Sequence, residues 1–320
     1  MIDFDVIVVG GGPAGASCAR ALVKKGVHAA VLDKSDFPRP KLCAGWVTPE
    51  VFQDLKYSVN EYPHGIICFK KIYFHISNIK FPLKTRQYSI RRVEFDEWLL
   101  NKSGANFFQH RVRKVEKKRN KFIVDEKFRA EFIVGAGGTN CPVAGKFFQI
   151  KEDKSPDRQI VALETECKIE YSGKDCHLWF FNNRLPGYAW FVPKAGGYIN
   201  LGIGGKLYKL KRNNTSINEH WNYFINRLKK RGKIADVKIK PRGYHYFLNK
   251  KYLKCQEDNA FIIGDALGLA TLDMGEGIGP AVKSGILAAR TIITGKRYHP
   301  GAISRLSLPS MFMAGLRWKA

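Results

Sequence analysis

Apolar residues form short continuous runs near both ends of the chain and alternate with polar residues in its middle. Residues 5–10 (DVIVVG) are rich in β-branched side chains and predict a strand buried on both faces of a parallel sheet. The small residues of 16–25 predict a helix packed closely on that strand, and 28–33 predict a second strand that ends on a carboxylate. Together these segments predict a β-turn-α-β unit.

The later pattern predicts a chain that leaves this sheet and returns to it. Strands are predicted at 66–76, 80–90, 107–115, 121–124 and 132–138, a helix at 93–101, and a proline-rich loop at 37–45. Alternating aromatic segments between about 159 and 253 predict an antiparallel sheet, interrupted by one helix at 216–230. Residues 260–265 predict another buried strand, and a small-residue helix follows at 279–294. An α/β (α+β) fold with two interleaved domains is therefore expected.

A glycine motif, Gly10-x-Gly12-x-x-Gly15, follows the first predicted strand and opens the first helix. Gly10 permits the tight turn, Gly12 lets the backbone approach a pyrophosphate, and Gly15 lets the helix pack on the strand. The helix N-terminus supplies N–H groups and positive dipole for phosphates, and Asp33 is placed to accept hydrogen bonds from a ribose. This context predicts a dinucleotide-binding site.

A second glycine-rich segment lies far downstream, where Gly264 and Asp265 end a buried strand and residues 275–279 lead into the last helix. A carboxylate at the end of such a strand can accept hydrogen bonds from a polyol, such as the ribityl chain of a flavin. The amides at the start of the next helix could face the pyrimidine edge of the flavin. A protein that binds only NAD needs no such element, so FAD is the expected cofactor.

The chain resembles the geranylgeranyl reductase family of FAD-dependent oxidoreductases, within the flavoproteins related to p-hydroxybenzoate hydroxylase. The resemblance covers residues 1 to about 295, and its matching segments are 8–17, 40–45, 92–96, 134–138, 187–194, and 263–266 with 275–278. It implies a discontinuous, Rossmann-like FAD-binding domain (1–65, 91–158 and 254–320) and a substrate-binding β-sheet domain (66–90 and 159–253). The cofactor contacts are expected at Gly10, Gly12, Pro13, Ala14, Gly15, Asp33, Lys34, Arg92, Val112, Gly264, Asp265, Gly277 and Ile278.

Three residues are expected on the catalytic side of the flavin. In the family, a cysteine on the loop that corresponds to 37–45 lies near the flavin, which implies that Cys43 positions substrate or donates a proton. Tyr188 and Trp190 lie two apart on a predicted strand, so both face one side and can line an apolar pocket. The family pattern has Phe where this chain has Val192, and related hydroxylases often have Asp where it has Gly137.

The resemblance implies reduction of carbon–carbon double bonds in an isoprenoid or similar apolar substrate. NADPH and NADH are considered as electron donors, and ferredoxin stays open as an alternative. An FAD-dependent aromatic monooxygenase is the alternative, and a basic protein that holds FAD only structurally is a third class. Halogenation is disfavoured, because no counterpart of the lysine-bearing halogenase G-x-S motif is found.

Composition changes this interpretation in only one respect, a formal net charge of +26. Such a charge attracts anionic lipid and anionic small molecules, so peripheral contact with an anionic membrane is considered, whereas specific nucleic-acid binding is not expected. The seven scattered cysteines have no metal-ligand spacing, and no signal-peptide or membrane-spanning pattern is found. A cytoplasmic, monomeric enzyme without a metal is expected.

Overall fold

The computed structural model describes residues 1–77, 79–148, 157–248 and 254–308. Its strands are β1 (Ile2–Val9), β2 (Ala29–Asp33), β3 (Trp46–Val47), β4 (Ile67–Ile76), β5 (Ile79–Ser89), β6 (Asn106–Gln109), β7 (Val115–Lys118), β8 (Lys121–Val124), β9 (Phe128–Gly135), β10 (Gln159–Lys168), β11 (Cys176–Phe180), β12 (Gly187–Lys194), β13 (Tyr198–Lys206), β14 (Arg242–Phe247), β15 (Gln256–Glu257) and β16 (Ala260–Ile262). Its helices are α1 (Pro13–Val23), α2 (Pro49–Leu55), α3 (Arg92–Asn101), α4 (Pro142–Phe147), α5 (Leu207–Arg212), α6 (Ile217–Lys230) and α7 (Ile278–Thr294).

The first sheet has the order β15-β16-β9-β1-β2-β6, and β8 joins it beside β9 with β7 at its side. The strands β16, β9, β1, β2 and β6 are mutually parallel. Their carboxyl ends therefore lie along one edge, where ligands bind in open α/β sheets. The α/β fold expected from the sequence is confirmed, including the return of the chain to this sheet at β16.

Three glycines allow α1 and α7 to lie very close to their neighbours. A Cβ atom on Gly15 would come within 1.8 Å of the Gly10 carbonyl oxygen, and one on Gly285 would come within 2.3 Å of the Ala14 carbonyl oxygen. The Gly264 amide donates a hydrogen bond of 3.0 Å to Ser284 Oγ, which ties the end of β16 to α7. Gly15 and Gly264 were predicted to contact the cofactor. In the structure, Gly15 allows α1 to lie close to the glycine turn after β1, and Gly264 joins the end of β16 to α7.

The close contact of α7 with α1 makes Gly285 a sensitive position. Gly285→Ala is expected to lower the free energy of unfolding by about 1–3 kcal/mol, because the methyl group forces two backbones apart. Gly145→Ala is the matched control, since a Cβ on Gly145 in α4 meets no atom within 4 Å. This control is expected to be neutral or slightly stabilising. Denaturant unfolding measures both, and equal effects of the two variants would contradict the packing role.

The second sheet has the order β14-β10-β13-β12-β11-β4-β5-β3. Neighbouring strands are antiparallel except for β11 and β4, which run parallel. The apolar face of α6, which includes Trp221 and Phe224, packs on one face of this sheet in a cluster with Trp179 and Phe191. Strand β3, which directly follows the loop at 37–45, pairs with β5 at the edge of this sheet.

The prediction of a single strand at 107–115 is wrong. The structure has two strands there, β6 and β7, with no regular structure between them. Asp125 holds the connecting segment: its carboxylate accepts the amides of Arg113 (3.1 Å) and Lys114 (2.7 Å) and lies 2.7 Å from His110 Nε2. The short helices α2, α4 and α5 were not predicted either. No helix among the residues that the structure describes is long and apolar enough to cross a membrane.

Candidate active site

A cavity of about 920 Å³ is lined by residues of both sheets. Its size is near the upper end of the range of small-molecule sites, roughly 300–1,000 Å³. The residues proposed from the sequence that line it are Gly10, Gly12, Pro13, Ala14, Asp33, Lys34, Cys43, Arg92, Val112, Tyr188, Trp190, Asp265, Gly277 and Ile278. The structure therefore brings the distant glycine-rich segments and the aromatic strand to one place.

The N-terminus of α1 opens into this cavity without a capping side chain. Gly12 is the N-cap residue, and the first turn contains no acidic residue. Among the residues that the structure describes, no side chain caps this turn. The free amides and the positive end of the helix dipole are thus available to phosphate oxygens. This end of the cavity fits the pyrophosphate of a dinucleotide.

Asp33, Arg39 and Arg92 form the polar wall of the cavity beside α1. The Asp33 carboxylate accepts the amides of Gly11 (2.8 Å) and Ser35 (3.0 Å), which fixes the glycine turn against β2. Arg39 Nη2 lies 3.9 Å from Asp33 Oδ2 and 3.7 Å from Asp96 Oδ2. Carboxylate and guanidinium groups at this wall suit the hydroxyls and phosphates of an adenosine diphosphate moiety.

Arg92 is held by a buried carboxylate on the next turn of α3. Its guanidinium makes two hydrogen bonds to Asp96, of 2.7 and 2.8 Å. Burial disfavours the charged guanidinium, but Asp96 and the nearby Cys43 thiol outweigh burial, and the pKa of Arg92 is raised. A permanently charged, preoriented arginine therefore faces the cavity next to Cys43.

Asp265 presents a free carboxylate to the cavity. The Asp265 side chain is accessible to water inside the cavity, but the surrounding protein disfavours its charged form. This desolvation raises the pKa of Asp265, against the opposing effect of Lys41 and Arg92. Within the described ranges, no hydrogen bond to this carboxylate is found. A Cβ atom on Gly277 would lie 3.4 Å from Asp265 Oδ1, so glycine leaves room beside the acid. This unsatisfied acceptor fits a polyol chain.

The start of α7 is partly occupied by its own chain, which modifies the expectation that its amides face a flavin. The Gly279 amide donates a hydrogen bond of 2.6 Å to Glu276 Oε1. Burial raises the pKa of Glu276 to about 7, against the lowering effect of that amide and of Lys283. A ligand at this end of the cavity therefore meets Glu276 as well as the helix terminus.

Tyr188 and Trp190 form the apolar wall of the cavity. The Tyr188 hydroxyl donates to the carbonyl oxygen of Met274 (2.5 Å), and Trp190 Nε1 donates to Asn200 Oδ1 (2.6 Å). Because the polar atoms of both residues are bonded, the rings offer mainly apolar surface to a ligand. Asn200 Nδ2 also donates to the carbonyl oxygen of Cys43 (3.3 Å), which links this wall to the loop at 37–45.

Comparison with known proteins agrees with this geometry. Residues 3–54 match the model of an FAD binding domain. An uncharacterised protein of Methanosarcina barkeri is 32% identical over 314 residues, which cover 91% of this chain and 75% of the relative. A digeranylgeranylglycerophospholipid reductase of Methanopyrus kandleri is 26% identical over 226 residues, covering 63% of this chain and 58% of that protein.

Among solved structures, a geranylgeranyl bacteriochlorophyll reductase-like protein from Thermoplasma acidophilum matches with a TM-score of 0.78 and 20% identity, covering 100% of this chain and 83% of that one. The chain belongs to the same family as the Methanosarcina barkeri protein and is an FAD-dependent oxidoreductase. Its cofactor is FAD, and the uncapped α1 terminus and the free Asp265 carboxylate fit that cofactor.

The fold of this FAD-dependent oxidoreductase is also found in a flavin-dependent halogenating enzyme. A flavin-dependent brominase matches with a TM-score of 0.67 and 18% identity, covering 99% of this chain and 83% of the brominase. At this identity the likeness concerns the fold alone. The reaction must therefore be inferred from the residues of the cavity.

Glu164 on β10 belongs to none of the sequence motifs and was not predicted as a site residue. Its side chain is fully buried. Its Oε2 accepts the hydroxyl of Tyr244 (3.2 Å), a cavity residue, whereas Oε1 has no hydrogen-bond partner in the part of the chain that the structure describes. Burial raises the pKa of Glu164 to about 7, although Lys194 and Tyr244 act in the opposite direction.

The sequence did contain a signal for this residue. Glu164 lies two residues after Ala162, which lines the cavity, so the alternation of β10 turns both side chains to the same face of the sheet. An acidic residue on the apolar face of a strand is costly unless it has a partner or a function. The protein thus has a buried titratable group, Glu164, directly behind the wall of its cavity.

Proposed function

We propose that this FAD-dependent oxidoreductase reduces carbon–carbon double bonds in an isoprenoid or similar apolar substrate. The observation that carries the proposal is the continuity of one cavity, which is polar at the α1 terminus and apolar at Tyr188 and Trp190. An apolar substrate would lie against these two rings. Because the Tyr188 hydroxyl and the Trp190 indole N–H are already hydrogen-bonded, the substrate would leave no polar atom of these side chains without a partner. The similarity to a protein named as a digeranylgeranylglycerophospholipid reductase supports this substrate class.

Reduction of an alkene needs a hydride for one carbon and a proton for the other. Bound FAD in its reduced form supplies the hydride, and NADPH or NADH is the proposed source of its electrons. The protein must supply the proton, and Tyr244 is suited to do so because it lines the cavity and lies 3.2 Å from Glu164 Oε2. A proton held by Glu164 would replace the one that Tyr244 gives to the substrate carbon.

Cys43 is the other proposed proton donor. Its Sγ accepts the Gly45 amide at 3.3 Å, and it lies beside the Arg92 guanidinium. These two contacts fix the Cys43 side chain at the wall of the cavity, where it can hold a substrate in place. We therefore assign Cys43 to positioning the substrate and Glu164 with Tyr244 to proton delivery.

The experiment is anaerobic reoxidation of the reduced, FAD-loaded protein. The flavin is reduced with a stoichiometric amount of dithionite and mixed with a lipid that bears geranylgeranyl chains. Return of the oxidised flavin absorbance, with saturation of a double bond detected by mass spectrometry, is the expected result. The fully saturated lipid is the control and should leave the flavin reduced. Separate mixing of the oxidised protein with NADPH or NADH tests the electron donor.

An FAD-dependent aromatic monooxygenase is the second candidate, because the sequence motifs also resemble those of the flavoproteins related to p-hydroxybenzoate hydroxylase. In this case, the alkene would not reoxidise the flavin, and an aromatic substrate would stimulate oxygen uptake and be recovered with an added hydroxyl. That pair of results would replace the reductase proposal.

A further inference from the structure

A second, smaller cavity of about 130 Å³ lies on the other face of the second sheet. Its lining includes His177 and Trp179 of β11, whereas Leu178 between them lines the large cavity. Because side chains alternate along a strand, the sheet separates the two cavities. Helix α6 closes the small cavity with Phe224, Arg227 and Leu228. This site therefore lies outside the flavin cavity.

Four cationic side chains line this cavity: Lys80, Arg227, Arg231 and Lys233. Among the described residues, none of them forms a salt bridge with a carboxylate, and Arg227 instead donates to the amide oxygen of Asn182. Like charges brought together without a counter-ion repel one another, so this arrangement costs free energy in the unliganded protein. An anion would relieve that cost.

Trp179 gives a second, independent indication of a ligand. Its side chain is 4% exposed and lines the cavity, and its Nε1–H group has no hydrogen-bond partner among the residues described. An indole nitrogen can only donate, and a buried donor without an acceptor costs roughly 1–3 kcal/mol. The cavity thus lacks an acceptor, as well as a negative charge.

Two histidines complete the floor of the cavity. His75 Nε2 lies 3.0 Å from His177 Nδ1, and the His75 ring stacks on Trp179 with centroids 4.8 Å apart. Burial first, and then nearby lysines and arginines, lower the pKa of His75 to about 4. Burial, followed by Lys233, His75 and Lys80, lowers the pKa of His177 to about 3. Both rings are therefore neutral near pH 7, and the positive charge comes from the lysines and arginines.

We propose that this cavity binds the phosphate group of a phosphomonoester, with Arg227, Lys233 and Trp179 as its main donors. A volume of 130 Å³ corresponds to about four water molecules at roughly 30 Å³ each. This space accepts a tetrahedral oxyanion but leaves the rest of the ligand outside. Arginine binds phosphate through paired N–H groups, and a dianion would be attracted by all four cations.

The first test is calorimetric titration of the FAD-loaded protein with inorganic phosphate and with phenyl phosphate. The double variant Arg227→Gln/Lys233→Gln is expected to weaken binding at least about 100-fold, because two charge-assisted contacts are lost. Trp179→Phe keeps the ring stack but removes the indole donor, and about ten-fold weaker binding is expected. Lys230→Gln/Lys238→Gln removes the same charge from exposed positions outside the cavity and should bind phosphate normally.

The second test identifies the source of the phosphate group. Sedimentation with vesicles of phosphatidylcholine, alone or with phosphatidic acid, compares the wild type with both double variants. Phosphatidic acid-dependent binding that is lost only in Arg227→Gln/Lys233→Gln would indicate a lipid headgroup. Saturable binding of phenyl phosphate without vesicle recruitment would indicate a soluble phosphate ester.

The proposal is overturned if neither phosphate compound binds saturably, or if the two double variants weaken binding equally. Equal weakening would show that the overall positive charge attracts the anion and that the cavity has no special role. Because this site lies across the sheet from the flavin, failure here leaves the proposed reductase activity untouched.

Discussion

Gly12→Val is expected to give a folded protein that no longer retains FAD. Gly12 has φ −72° and ψ −175°, a conformation that any residue can adopt, and the nearest atom to an added Cβ would be Arg39 Nη2 at 3.6 Å. The protein itself therefore tolerates a side chain here. The valine would instead occupy the space that the pyrophosphate needs in front of the α1 amides.

The expected loss is at least about 1–3 kcal/mol of FAD binding free energy, the usual cost of forcing extra methyl groups into an occupied space. Flavin absorbance of the purified protein and titration of the apoprotein with FAD measure it, and circular dichroism checks the fold. Gly15→Val is the contrasting variant. Its Cβ would clash with the Gly10 carbonyl oxygen, so this variant should fail to fold stably. Normal FAD binding by Gly12→Val would contradict the assigned site.

Glu164→Gln is expected to slow alkene-dependent reoxidation of the flavin by about 100-fold or more, the typical contribution of a general acid. Glutamine keeps the size of the side chain and can accept the Tyr244 hydroxyl, but it cannot release a proton. FAD binding and reduction of the flavin by its donor should stay unchanged, because Glu164 lies behind Tyr244 and does not line the cavity. Single-turnover absorbance measurements separate these steps.

Two companion variants decide between the proton donors. Tyr244→Phe should match the slow reoxidation of Glu164→Gln, since both interrupt the same path. Cys43→Ser should weaken substrate binding and leave the rate at saturating substrate largely intact. The opposite pattern would be slow flavin reoxidation in Cys43→Ser and a normal rate in Glu164→Gln. It would identify Cys43 as the proton donor.

The pH dependence follows from the raised pKa of Glu164. Its pKa is about 7 in the folded protein against an ordinary value of 4.5, so the folded state retains this proton more strongly than the unfolded state. The contribution of Glu164 to stability therefore falls as pH rises from about 4.5 to about 7, and alkene reduction should decline above about pH 7. In Glu164→Gln this part of the stability slope should disappear, which denaturant unfolding at several pH values would show.

The parts of the fold that the sequence predicted well are those in which one local pattern determines the structure. The continuous apolar run of β1, the glycine turn and the small residues of α1 each indicate the same β-α-β unit, so propensity and packing agree. The same holds for α7, where glycines and alanines permit close contact with α1.

The errors occur where a distant residue determines local structure. The segment around Val112 alternates like a strand. However, Asp125, in the turn after β8, accepts hydrogen bonds from the Arg113 and Lys114 amides, and the chain between β6 and β7 is therefore not a strand. Cavity residues such as Gly12, Cys43 and Asp265 lie in sequence motifs and were predicted, whereas Glu164 was missed because it belongs to no motif. Its role depends on contact with Tyr244, 80 residues further along the chain, and alternation alone does not show that contact.

One amide connects the two ends of the cavity. Asn200 accepts the Trp190 indole N–H through its oxygen and donates through its nitrogen to the Cys43 carbonyl oxygen. A ligand that displaces the indole would therefore also disturb the hydrogen bond to the Cys43 backbone. Occupancy of the apolar wall would in this way change the position of the loop that carries Cys43.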